Sequence, residues 1–109
     1  MQTYKAALMD SITAAAALTG KRFIGFDGNH AGANAKARGV SLFDTDSGAE
    51  CSLVALGFAL VTAGGAITLG AKVASDANGK AVAWSTGEVN GFACSAASAD
   101  GDVILVKLV

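Results

Sequence analysis

The residues able to do acid–base or nucleophilic chemistry are few in this chain: one histidine, His30, and two cysteines, Cys51 and Cys94. Catalysis needs such groups gathered within hydrogen-bond reach of a partner that tunes them. His30 stands among small residues, between Asn29 and Ala31, and nothing local pairs it with either cysteine. It reads as an exposed polar residue of a loop. Both cysteines sit in apolar, strand-like stretches and read as buried free thiols. Their number and spacing make neither a disulfide framework nor a zinc motif.

Carboxylates stand two apart at Asp44 and Asp46 and again at Asp100 and Asp102. A calcium loop would add further oxygen ligands and a glutamate at fixed spacing, and neither pair has them. Aspartates in turns, accepting from nearby backbone N–H groups, explain both pairs. Gly28-Asn29-His30-Ala31-Gly32 lacks the lysine of a phosphate-binding loop, and no GxGxxG occurs. Lys80 follows Gly79 beside a turn, a setting similar to that of the modified lysine in lipoyl and biotinyl carrier domains. A small β-hairpin carrier or ligand-binding module is therefore the alternative function, although no methionine or aspartate directly precedes Lys80. Trp84 is the only tryptophan, read as a core residue with an interface anchor as the other possibility. No catalytic, cofactor-binding or metal-ligating residue is expected, and the chain does not read as an enzyme.

Composition points the same way. The 109 residues fit one domain, and 52% are hydrophobic while only 6% are aromatic. An alanine-rich interior gains less per residue than a leucine-rich one, at about 0.8 kcal/mol per buried CH₂. Closely spaced backbones, with some apolar surface buried against copies of the chain or a partner, suit such a composition. Net charge is −1, with no basic stripe of the kind that neutralises phosphates, so nucleic acid is not an expected partner. The most apolar stretch, Leu53 to Val61, is too short to cross a bilayer as a helix, which takes about 20 residues. The N-terminus lacks the pattern of a signal peptide. Neither a membrane partner nor export is expected, and the chain is expected to stay in the cytoplasm where it is made.

Glycine punctuates the elements that remain, with fourteen glycines and no proline. Strands are predicted over 21–27, 39–43, 50–56 with 58–61, 71–75, 80–84, 91–97 and 102–109. Asp76-Ala77-Asn78-Gly79 is a hairpin signal, because Asn-Gly takes the positive φ values of a tight turn. In the last strand Ile104, Val106 and Leu108 form a purely apolar face and are predicted to point into the core. The fold class is all-β, a small compact barrel or sandwich of short strands. Residues 29–38 read as an exposed loop. The first eighteen residues carry a conflict: Tyr4, Leu8 and Ile12 recur at helical spacing, and Ala14 to Ala17 has high helix propensity, so local chemistry writes a helix from about Lys5 to Leu18. A strand from Ile12 to Leu18 behind a loose arm is the alternative.

From Gly57 onward the order of short motifs is recognisable. It runs Gly57-Phe58-Ala59, Ala63-Gly64-Gly65-Ala66-Ile67, Gly70-Ala71-Lys72-Val73, Asp76-Ala77-Asn78-Gly79-Lys80-Ala81-Val82, Gly91-Phe92-Ala93 and Ala99 to Leu108. This resembles the family of small tailed-bacteriophage capsid cement, or head decoration, proteins. The first half agrees more loosely, through Ala14 to Leu18, Arg22 to Gly28 and Gly39-Val40. The resemblance implies a β-barrel-like domain that binds the outer capsid surface and bridges major capsid proteins. It also implies self-association, as a homotrimer or alternatively a dimer. It favours the strand over the helix near the N-terminus, giving an arm over 1–11 and one β domain over 12–109. Contacts with partners are expected from Tyr4, Lys5 and Leu8 of the arm and His30, Lys36 and Arg38 of the loop.

Overall fold

The hydrophobic run from 50 to 62 organises everything else. In the computed structural model, which describes residues 5–109, it forms one long strand, β4 (Glu50–Thr62), rather than two pieces. Gly57 lies within it at φ +109°, a backbone state that side-chain-bearing residues rarely adopt. The strand continues through it.

Every other element is arranged on β4 directly or through a neighbour. Described in chain order, β1 is Lys5–Thr13, β2 Phe23–Ile24, β3 Gly39–Ser41, β5 Lys72–Ser75, β6 Ala81–Ala83, β7 Gly91–Ala93 and β8 Val103–Leu108. The sheet order is β2-β3-β4-β8-β7-β5-β6, with β1 added on β4, and every strand pair is antiparallel. The two ends of this order approach each other. The Phe23 N–H donates to the Gly79 carbonyl at 2.7 Å, and Arg22 Nη1 donates to the Asn78 carbonyl at 3.0 Å. The result is a nearly closed, barrel-like sheet, the all-β architecture expected, with no helix among the described residues.

The N-terminal expectation needs correction. The first strand spans Lys5–Thr13, not 12–18, and runs along β4 from Lys5↔Phe58 to Thr13↔Glu50. The arm expected over 1–11 is thus, from Lys5 onward, part of the sheet. Two register shifts, between Ala6 and Leu8 and between Leu8 and Met9, mark bulges in this pair. Beyond Thr13 the chain leaves the sheet and returns only through the isolated bridge Leu18↔Thr45. The alanine run does not become a helix because its backbone finds tertiary partners instead. The N–H of Ala14 donates to the Ala49 carbonyl at 2.9 Å and that of Ala15 to Gly28 at 3.0 Å.

Two apolar clusters result. The main one gathers Phe23, Val40, Val54, Val61, Val73, Ile104 and Val106 with several alanines. Ile104, Val106 and Leu108 point inward, as their alternation predicts. The smaller one packs Ala14, Leu18 and Ile24 onto Cys51 and Leu53 of β4. That strand is therefore buried on both faces around Leu53 and Val54, while Glu50 and Ser52 at its start stay exposed on one face. The hairpin turn forms at Asp76 to Gly79, where Asp76 Oδ1 accepts the N–H groups of Asn78 and Lys80 at 2.8 and 2.9 Å. Gly79 takes φ +76° there.

Candidate functional site

Several of the titratable groups that could have done chemistry instead hold the backbone or each other. His30 Nε2 accepts the Thr19 N–H at 3.0 Å, so the ring nitrogen that a general base would use is occupied. Partial burial, with the Arg22 guanidinium nearby, pushes this imidazole below its ordinary pKa of 6.5. Asp102 accepts from the Ser98 N–H and hydroxyl and from the Ala99 N–H, which lowers its pKa. Asp44 accepts the Gly20 N–H at 2.8 Å. Asp100 pairs with Lys80 Nζ at 3.0 Å, so the lysine that suggested a carrier is held in an ion pair. Among the described residues no three His, Cys, Asp or Glu side chains gather as a metal site.

Of the six residues expected to make contacts, Lys5 and Leu8 stand exposed on β1, Leu8 at 53%. Tyr4 lies outside the described residues. Arg38 donates from Nε to Asp10 Oδ2 at 2.9 Å, tying the 29–38 segment to β1 and holding the Asp10 carboxyl below its usual range. Lys36 turns inward, donating from Nζ to the main-chain oxygens of Val89 and Val109, both at 2.9 Å. His30 is likewise engaged, as above. The segment expected as an open loop is also fastened by Asn90. This buried side chain accepts the Ala37 N–H and donates to the Ala35 carbonyl, both at 2.9 Å. Ala31 is buried as well.

Two sequence readings of the surface are corrected. Cys51 is buried, but Cys94 is exposed, because it follows β7 on the side of the sheet away from the core. Trp84 is not a core residue: it is 38% exposed, and its indole N–H donates to the Gly87 carbonyl at 3.0 Å. Sequence reasoning had no means of finding the outer face to which it belongs. From Phe58 onward β4 shows one face to the main core through Ala59 and Val61. Its other face, Phe58 and Leu60, is only half-buried and continues onto Leu105 and Val103 of β8. Leu8 and Leu56 form an exposed cross-strand pair nearby. A shallow hollow lined by Lys21, Leu42, Phe43 and Leu60 adjoins it. Continuous apolar surface of this kind is a feature that contact sites share.

Comparison with known proteins gives this surface a context. The family model described as "Phage cement protein" matches residues 1–108. No curated protein matches the chain. Among solved structures, the chain is similar to the N base of head fiber gp8.5 from bacteriophage phi29. The TM-score is 0.77 at 24% identity, over 94% of this chain and 95% of that one. At that identity the likeness speaks to the fold.

Proposed function

The chain belongs to the phage cement protein family, and from that premise we propose that it binds the outside of an assembled phage head and stabilises it by bridging neighbouring major capsid proteins. The family match, which runs almost end to end, is the observation that carries this reading. The architecture supports it. Its described surface exposes apolar side chains such as Leu8, Leu56 and Phe92 beside charged ones such as Lys5, Lys72 and Lys107, a mixture suited to protein contact. On this reading the protein is made in the host cytoplasm and joins the head as a homo-oligomer, a trimer or alternatively a dimer. A protein that binds only the assembled lattice stabilises it by mass action. Symmetric copies then raise avidity without stronger single contacts.

Lys5 and Leu8 of β1, with Arg38 held beside them through Asp10, are the contact residues this reading favours, and Tyr4 precedes them in sequence. His30 and Lys36 would contribute by shaping the 29–38 segment rather than by touching the capsid. The test is a titration of purified protein onto undecorated, expanded heads. Saturable, stoichiometric binding is expected, and an absence of binding across salt and pH would refute the reading. The carrier alternative predicts an added prosthetic mass on Lys80, which intact mass spectrometry of native protein would detect.

A further inference from the structure

The sheet register assembles a pattern that the linear sequence scatters. Lys5 of β1 stands opposite Phe58 of β4, Phe58 opposite Lys107 of β8, Lys107 opposite Phe92 of β7, and Phe92 opposite Lys72 of β5. Trp84, just beyond β6, extends the row: its backbone N–H donates to the Lys72 carbonyl at 2.9 Å, and Lys72 Nζ lies 5.0 Å from its ring centroid. Directly opposed residues of antiparallel strands put their side chains on the same face. The result is one row across the barrel's outside that alternates cation and aromatic. All its members are exposed except Phe58, which is half-buried.

The row contains no carboxylate. Among the described residues the ion pairs are Arg38 with Asp10 and Lys80 with Asp100, so neither uses a lysine of the row. Its lysines sit on every second strand, about 9–10 Å apart. At that spacing salt screens their repulsion enough for the row to persist without a partner. The Leu60↔Leu105 pair borders the row on one side, and the exposed Leu8↔Leu56 pair lies just beyond Lys5↔Phe58.

We propose that this row is the docking surface for an acidic protein segment, its carboxylates meeting the three ammonium groups and its aliphatic side chains covering the aromatic rings and leucines. Resting on the cement reading, that segment belongs to the major capsid protein. Charge complementarity selects this occupant over the others. A second copy stacked on the same row would bring six ammonium groups into one contact with no carboxylate in either row to offset them. A nucleic acid would gain three phosphate contacts from a chain of net charge −1, and the leucine pairs offer nothing to a phosphate backbone. An acidic protein surface uses both the charge and the apolar border.

Trp84 is the only tryptophan, so its emission reports on the row directly. Poly-L-glutamate should change that emission saturably, with weakening at high salt. On undecorated heads, Lys72→Glu with Lys107→Glu should cost about tenfold or more in affinity, while Lys72→Arg with Lys107→Arg retains it. Lys72→Gln with Lys107→Gln serves as the milder pair should charge reversal impair folding. Four results would overturn the proposal: no emission response to poly-L-glutamate, a tighter response to oligothymidylate, a smaller oligomer on charge reversal, or full head binding by the folded variants. Failure of the unaltered protein to bind heads, with the poly-L-glutamate response intact, would instead sink the cement reading and leave the acidic docking surface standing.

Discussion

Burial and the neighbouring Arg22 guanidinium hold the His30 imidazole below its ordinary pKa of 6.5, so the folded protein binds this proton more weakly than the unfolded chain. The contribution to stability is therefore complete above pH 6.5 and is lost as pH falls below it. Protonation also turns Nε2 into a donor facing the Thr19 N–H. Urea midpoints should fall between pH 8 and pH 5, and His30→Gln, which can still accept that N–H, should flatten the dependence. A wild-type midpoint that is level over this range would contradict the assignment. Asn90 offers a second test. Its side chain serves two backbone groups of the 29–38 segment while fully enclosed. Asn90→Ala should cost about 2–3 kcal/mol by leaving those groups unpaired. Hydrogen exchange at Ala37 should accelerate in the same variant, which a general loss of packing alone would not single out.

At the scale of elements, β1 carries the functional argument. It lies along β4 with Lys5, Leu8 and Met9 exposed, so removing it wholesale would strip β4 as well as any contact surface. A point change separates the two roles. Leu8→Asp should leave the melting temperature nearly unchanged, since exposed substitutions usually stay within about 0.5 kcal/mol. It should lower occupancy on heads markedly, and unchanged occupancy would remove β1 from the contact. This element also shows what the sequence could and could not disclose. The strands from Glu50 onward were legible because period-two alternation and glycine spacing are local signals, as in Ile104, Val106 and Leu108. The position of β1 was not, because Ala14 to Ala17 speaks for a helix while carbonyls at Gly28 and Ala49 capture its N–H groups. Trp84 misled for a related reason: its exposure follows from the side of the sheet that β6 presents. The alternating row was illegible in principle, since its members lie as far apart as Lys5 and Lys107 and only register unites them.

At the scale of the whole molecule, the interior is built from alanine and valine around a few large side chains, and much apolar surface remains outside. The body so made is small, 35 × 27 × 21 Å along its principal axes, and the proposed role asks it to cover a joint rather than enclose a substrate. Its near-neutral charge limits nonspecific attraction to DNA awaiting packaging. The row of lysines and aromatics gives one side of the barrel a direction, so that copies on a lattice would share one orientation. The most direct measurement of the central claim is a cryo-EM map of expanded heads decorated with this protein. Added density should lie on the outer surface, spanning neighbouring major capsid subunits, with the Lys107–Phe92–Lys72 side of the barrel against the shell. Density confined to a single subunit or to the inner surface, or no added density at saturating protein, would contradict it.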